Sequence, residues 1–443
     1  MKLLKQIGFG NRFYYSGMGI VFLLILVTFY PPLFIFTNLI FILWVLLILI
    51  DFTLLFQIKK AFTAHRSLAQ RFSNGDINKI SIQIQNFYPH TIYLDIIDEI
   101  PIQFQKRDFI YHRTLKSNES TTLTYQLRPV ERGEYIFGSI HLFASTFLGL
   151  VERQYTIKQD TLVKVYPSFH QLKQIELLSF AAMKNLLGLK RIRHFGYNKE
   201  FEQIKDYVIG DEIKHINWKA TARRNKLMIN QYQDEKSQHV YCLIDMGRTM
   251  KMPFNSMSLL DYSINASLAL SQIILKNNDE AGLITYDKKI RSVVAAGKRT
   301  TQLNRMMETL YYQQTNFDES TLENVYAYVQ NKIRQRSLLV FFINFESIYS
   351  LKRYLPLLKK LNKNHLLLLV NFKNTEIESI AQQAAEKLDA IYLKTIAENF
   401  LFEKRSFLNE LSKYGIHTLF AAPEDIHIQT INKYLEIKAR GLI

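Results

Sequence analysis

Two long apolar runs near the N-terminus, Phe13 to Tyr30 and Leu33 to Phe56, with Pro31-Pro32 between them, constrain this chain more than any other feature. In hydrocarbon every backbone N–H and C=O must be satisfied within a helix or a closed barrel, and a helix needs about 20 apolar residues to cross. The runs therefore predict a tight two-helix transmembrane hairpin. A cleaved signal peptide is disfavoured, because the first run ends in Phe29-Tyr30-Pro31-Pro32, without small residues at a cleavage position, and a second span follows at once. Lys2, Lys5 and Arg12 precede the hairpin, Lys59 and Lys60 follow it, and its turn carries no charge. The positive-inside rule then places both ends, and everything after them, in the cytoplasm. Asp51, near the end of the second helix, is expected to reach the interface and is given no proton-relay role.

A chain of 443 residues exceeds one ordinary core, so two or more domains are expected. After the hairpin (1–60), residues 61–168 read as a β-sandwich. Lys79 to Asn86, Thr91 to Asp98, Thr121 to Pro129, Tyr135 to Ala144 and Thr161 to Pro167 alternate apolar and polar residues, with Asn, Pro, Gly and Asp between them. Its role is structural or adhesive; His112 and His141 are isolated and read as surface or core histidines. Beyond a mixed segment at 169–236, residues 237–443 alternate strands and helices. Strands are predicted at Val240 to Asp245, Gly282 to Tyr286, Ile290 to Ala295, Leu338 to Asn344, Leu366 to Asn371 and Thr418 to Ala421. Helices are predicted at Leu259 to Lys276, Thr301 to Leu310, Leu322 to Arg334, Leu351 to Leu361, Glu376 to Leu388, Phe400 to Tyr414 and Ile426 to Arg440. Near-continuous apolar strands imply a parallel sheet covered on both faces, a doubly wound α/β architecture. Only Asp287-Lys288-Lys289 separates the second strand from the third, which forces a hairpin and one antiparallel edge strand.

The block Tyr207 to Arg224 mixes a Gly-Asp turn, a central Asn217-Trp218 and five basic side chains, a composition that faces a partner or a neighbouring domain. It resembles the family known as domain of unknown function 58, whose pattern is met by Lys205, Tyr207, Gly210, Asp211, Ile216, Trp218, Lys219, Thr221, Ala222 and Arg223 and continues into a von Willebrand factor A-like domain. The hairpin, RGEYIFG (Arg132 to Gly138) and FLGL (Phe147 to Leu150) are also features of that family. The resemblance implies a protein of the bacterial inner membrane with its soluble domains in the cytoplasm. It also implies association with MoxR-type AAA+ ATPases and other von Willebrand A proteins, in assembly or maturation of larger complexes. Within the block, Trp218 reads as a packing anchor against the α/β domain and Asp211 as a turn acid, with Gly210 allowing a positive φ. Arg223 and Arg224 either grip an acidic partner or satisfy Asp211.

In open α/β sheets ligands sit beyond the carboxyl ends of the central strands, where Asp245 is predicted. The von Willebrand A resemblance implies a metal-ion-dependent adhesion site there, built from Asp-x-Ser-x-Ser, a loop threonine and a later acid. This chain reads Asp245-Met246-Gly247-Arg248-Thr249, with Thr315 as the loop threonine and Asn344-Phe345-Glu346 in the last position. Gly247 has no hydroxyl and neither Asn344 nor Phe345 is anionic, so the set Asp245, Thr249, Thr315 and Asn344 falls short of what Mg²⁺ demands. No cofactor is expected. In the alternative Asp245 caps the first helix or bonds loop amides, and Arg248 projects from the same loop. A metal-dependent enzyme using Asp245, Asp211 and His194 or His215 is a second hypothesis, although no ligand spacing supports it.

The formal net charge of +17 raises nucleic-acid binding as a third, but the positive residues are scattered and form no motif. Lys59, Lys60, Arg66 and Arg71 follow the hairpin, where anionic headgroups attract them. The lone cysteine, Cys242, reads as a buried structural thiol. The leading expectation is a non-enzymatic, membrane-anchored scaffold for protein contacts.

Overall fold

The computed structural model describes residues 6–58, 60–106, 109–168, 200–209, 211, 213–233, 237–315, 318–345, 348–384 and 388–442. Lys59, His194, Gly210 and Glu346 lie outside the described residues. The chain forms two compact units, Met1–Tyr166 and Pro167–Ile443.

In the first unit, helix α1 (Asn11–Phe29) and helix α2 (Phe34–Phe56) flank a 3-10 turn at Pro31–Leu33. Both are long and apolar enough to cross a membrane. The Phe13 and Trp44 rings stack at 5.2 Å, and the Trp44 indole N–H donates to Ser16 Oγ at 3.0 Å. Large apolar side chains such as Ile35 and Tyr15 are exposed along them.

Three sheets then share one core. Their strands run in the order Ile7–Phe9, Val151–Ile157, Ile140–Ser145, Ile92–Asp98, Ile110–Leu115 in one sheet; Phe62–Ser67, Asn78–Asn86, Ser120–Leu127 in another; and Arg71–Ser73, Thr161–Tyr166, Gly133–Phe137 in the third. Alternation decides what is inside: Ile80, Ile82 and Ile84 face Ile92, Leu94 and Ile96, all essentially inaccessible. The predicted strand Tyr135 to Ala144 breaks in two at Gly138-Ser139, because Glu99 bonds there. Its backbone O accepts from Gly138 N and its carboxylate from Ser139 N, and a Cβ on Gly138 would fall on that carboxylate. Strands at Phe62–Ser67, Ile110–Leu115 and Val151–Ile157 were not predicted; their apolar alternation is interrupted by His65, Arg66, Arg113 and Arg153.

Arg66 corrects the headgroup assignment. Its side chain is buried, forks onto the Asp98 carboxylate and donates to Gly138 O and Gln159 O, so it is unavailable to lipid. Tyr125 donates to the same carboxylate. Arg71 instead stacks on Tyr166 at 4.9 Å.

Asp51 is a second correction. It is fully buried in the unit, where its carboxylate accepts from Thr146 Oγ1, from Leu150 N at 2.9 Å and from Val151 N at 2.8 Å. Close by, carbonyls at and just beyond the end of α2 are engaged: Leu55 O accepts from Tyr88 Oη and Arg153 Nη1, and Ile58 O, two residues past the helix, from Arg153 Nη1. One orphan acceptor of the helix end, Leu55 O, is thereby satisfied by side chains of the β-rich part of the unit. FLGL is the loop that makes this junction.

In the second unit, six strands form one sheet in the order Ile290–Gly297, Glu280–Tyr286, His239–Asp245, Leu338–Phe342, Leu366–Phe372, His417–Ala421. All pairs are parallel except the first, which is the antiparallel edge. Each face of the sheet carries its own core. Val240, Cys242 and Ile244 meet helices Leu259–Lys276 and Ile426–Ala439, while Leu243 and Phe341 meet Leu322–Lys332 and Ile348–Asn364. The predicted helices near 376–414 become Thr375–Gln382 and one long helix, Leu388–Ser412.

Candidate functional site

Asp245 ends the central strand at its carboxyl edge and is 3% exposed. It does not cap the first helix of the sheet, whose start is closed by a Ser258–Asp261 capping box. Its Oδ1 accepts instead from Gly247 N at 2.8 Å and from Ser320 Oγ. Burial pushes its carboxyl up to about 6, with the nearby Asp287 charge acting in the same direction and the two hydrogen bonds opposing.

A cavity of about 150 Å³ opens beside it, lined by Asp245, Thr249 and Asn344 together with Glu319, Ser320 and Arg353, among others. Three of the four expected oxygens thus share one cavity; Thr315 is half-buried and does not line it. Ser320 is what the sequence reading missed. A Cβ on Gly247 would fall on the Ser320 hydroxyl and lie 3.1 Å from Asp245 Oδ1 and 3.2 Å from Asp318 O. The space that a serine would occupy at 247 is filled by a serine from another loop, which is held in place by Arg248 N donating to Asp318 O and Tyr354 Oη donating to Ser320 O. As a cation site the set is weak. Asp245 and Glu319 are its carboxylates, Asp245 Oδ1 is already engaged twice, and no group of three or more His, Cys, Asp or Glu able to hold a metal occurs among the described residues. Asp211 lies elsewhere, so the donor set proposed for a metal enzyme is not assembled at this cavity.

The signature segment folds as a two-stranded antiparallel ribbon, Glu200–Asp206 with Met228–Gln233, whose connection carries a 3-10 turn at Ile213–His215 and the short helix Trp218–Arg224. Its polar residues hold this connection. Asp211 accepts from Val208 N at 3.1 Å and pairs with Lys205 at 3.1 Å, which holds its carboxyl below the usual range, the backbone bond contributing most. Lys205, not Arg223 or Arg224, is therefore its partner. Asn217 caps the helix through Ala220 N and donates to Asn230 Oδ1 at 2.8 Å; the Thr221 hydroxyl accepts from Met228 N, and Tyr207 N donates to Leu227 O.

Its apolar residues do the opposite. Trp218 is 69% exposed, which overturns the packing-anchor expectation, and Ile209 is 97% exposed, with Val208 and Ile213 also outward. Trp218 sits at the first turn of a helix capped by Asn217, and Met228 and Ile229, not Trp218, are the buried residues among those described in the segment. Lys219, Ala222, Arg223 and Arg224 are exposed beside it. Lys219, Arg223 and Arg224 border a cleft with Ile204 and Asn217.

Elsewhere, Cys242 is fully buried and burial pushes its thiol up to about 12, an unreactive state. His112 is exposed, with Nδ1 2.5 Å from Asp95 Oδ1.

Comparison with known families matches residues 203–385 to "Protein of unknown function DUF58". The match takes in both the signature ribbon and most of the six-stranded sheet. "Uncharacterized protein YeaD" of Bacillus subtilis (strain 168) is 26% identical over 237 residues, 52% of this chain and 57% of that protein, so the chain spans little more than half the length of this relative. Solved structures align over 24% of the chain. They include the ASH/PapD-like domain 7 of human CEP192, at 8% identity over 85% of that chain with a TM-score of 0.19. Another is the CARDB domain of a Pyrococcus furiosus protein in complex with di-metal ions, at 13% identity over 91% of that chain with a TM-score of 0.17. Both scores are too low to indicate a shared fold.

Proposed function

We propose that the chain is a membrane-anchored, non-catalytic docking module whose signature ribbon and sheet-edge loops receive a protein partner on the cytoplasmic face of a bacterial inner membrane. One observation carries the reading. The signature's hydrogen-bonding residues are spent on holding a turn and a short helix, and what that frame presents to solvent is Trp218, Ile209 and Ile213 among Lys and Arg side chains. Aromatic and apolar anchors ringed by basic residues are the composition of an interface centre, and a hydrogen-bonded frame lowers the ordering cost of binding.

Supporting the von Willebrand A-like assignment are the sheet's strand order, its antiparallel edge and Asp245 at the carboxyl end of the central strand. The positive-inside pattern supports the orientation. A MoxR-type AAA+ ATPase, acting with other von Willebrand A-like proteins in complex assembly or maturation, is the partner that the resemblance to domain of unknown function 58 proteins brings forward.

Co-purification from gently solubilised membranes tests this. The expected result is an AAA+ subunit recovered with the intact chain and lost with a Trp218→Ala, Ile209→Ser double variant of unchanged thermal stability. Recovery of no AAA+ subunit at endogenous levels, or undiminished recovery with the variant, would refute the proposal.

A further inference from the structure

We infer that the loops of the first unit that grip the hairpin form a lipid-contacting collar, seated at headgroup depth, with Phe147 and Phe9 as its inserted side chains. This rests on the reading of the hairpin as membrane-spanning and adds to it a second membrane surface, contributed by the β-sheets.

The grip begins well before α2 ends. Asp51 lies about five residues short of Phe56, and the loop Thr146 to Val151 reaches it with a hydroxyl and two amides. At 1.5 Å per residue the loop therefore climbs the helix by about 8 Å. The lengths left for lipid, Phe34 to Ile50 on α2 and Phe13 to Phe29 on α1, are each roughly 25 Å, against about 30 Å of hydrocarbon. A short span draws its flanks into the interface.

Aromatic side chains mark where that interface falls. Tyr30 is exposed at the turn, and Tyr14 and Tyr15 are exposed at the collar end, the spacing of two interfacial belts. Within one turn of Tyr14, Arg12 Nη1 donates to Phe147 O at 2.7 Å, and Gly10 N donates to Leu150 O at 3.1 Å. The collar thus stands at the level of the belt.

Phe147 is 66% exposed and Phe9 46% exposed, yet both are carried by backbone that is itself tied down: Phe9 pairs with Val151, and Leu148 N donates to Thr146 Oγ1. Phenyl rings held outward at this level lose their contact with water on entering the acyl boundary, the contribution made by the apolar face of an interfacial helix. Arg12 beside them supplies a cation for anionic headgroups.

Cysteine scanning in the full chain, reconstituted into liposomes of mixed neutral and anionic lipid, tests the collar. Phe147→Cys and Phe9→Cys are labelled with a polarity-sensitive fluorophore and quenched either by aqueous iodide or by nitroxide lipids of known depth; Cys242 is buried and stays unlabelled. Ile102→Cys, 91% exposed at the far end of the same sheets, is the aqueous control, and Leu43→Cys, midway along α2, the deep one. Positions 147 and 9 are expected to be quenched several-fold more by shallow nitroxides than by iodide, with the reverse at 102. If 147 and 9 behave like 102 while 43 is quenched by deep nitroxides, the collar is refuted and the spanning hairpin survives. If 43 is also open to iodide, the spanning reading fails and the collar with it.

Discussion

Gly247 and Ser320 compete for one volume, which makes their coupling the most direct test of the Asp245 site. A methyl at 247 would overlap the Ser320 hydroxyl and press on Asp245 Oδ1 and Asp318 O. Overpacking of this kind costs about 1–3 kcal/mol. Removing the Ser320 hydroxyl deletes a hydrogen bond to a buried carboxylate, worth about 1.5–3 kcal/mol. With the hydroxyl gone the new methyl has space, so Gly247→Ala in a Ser320→Ala background should cost well under the sum, a coupling of about 1 kcal/mol or more. Cys242, the chain's single thiol, lies fully buried on the same strand and reports opening of the sheet through its labelling rate in mild urea. Each single variant should raise that rate by roughly fivefold or more, at about 1.4 kcal/mol per decade, and the double variant by less than the product. Labelling of Gly247→Ala at the wild-type rate, or strictly multiplicative effects, would refute the shared-volume argument.

Asp245→Asn should raise the urea midpoint at pH 7.5 but not at pH 3.5. The folded-state value of about 6 stands above the ordinary 3.8, so the burden is absent below 3.8, grows as pH rises to 6 and reaches on the order of 3 kcal/mol above it; a pH-independent effect would contradict this. Asp51→Ala should strand the buried amides of Leu150 and Val151 at about 1–3 kcal/mol each and expose the 146–151 loop to limited proteolysis, whereas Asp51→Asn should recover part of the loss by accepting at one of them. Arg66→Ala should cost about 3–5 kcal/mol by leaving Asp98 buried without its cation, read as a lowered thermal midpoint of the detergent-solubilised chain. Trp218→Ala should change the stability of the solubilised chain by no more than about 0.5 kcal/mol, because the side chain is mostly exposed; a larger loss would mean that it is a structural anchor after all.

Patterns carried by neighbouring residues were legible in the sequence. The hairpin, the apolar strands Leu338–Phe342 and Leu366–Phe372 and the antiparallel edge after Asp287-Lys288-Lys289 all follow from local composition and spacing. Partners brought together by folding were not. Ser320 reaches Asp245 across 75 positions, and Thr146 reaches Asp51 across 95. No local period encodes either pair, and an acid in an apolar helix reads as interfacial until its donor partners are known. Arg66 and Arg153 misled for the same reason: each is a charge inside a strand whose compensation, Asp98 or the carbonyls of Leu55 and Ile58, comes from elsewhere in the fold. Trp218 was misjudged in the other direction. Its composition is that of a core residue, and only the geometry fixed by Asn217 and Thr221 turns it outward.

These misreadings share a physical basis that bears on function. At Asp51, Asp98 and Asp279 the buried carboxylate is matched by donors: a hydroxyl and two amides, an arginine fork and a tyrosine, or Tyr434, Lys438 and Gln238 N. Asp245 differs, since its two donors are outweighed by burial and by Asp287. If Asp245→Asn stabilises the chain as expected above, the acid at the rim of the cavity marks a position where stability has been yielded. Trp218 and Ile209 make the same trade at the surface, leaving apolar area in water that a polar residue would remove. Under the docking proposal, a partner meeting both the carboxyl edge of the sheet and the ribbon would account for the two regions together. If Asp245→Asn stabilises the chain while abolishing the proposed AAA+ association, one partner spanning both regions is supported; if an association lost in the Trp218→Ala, Ile209→Ser variant survives Asp245→Asn, the cavity is not part of that docking surface.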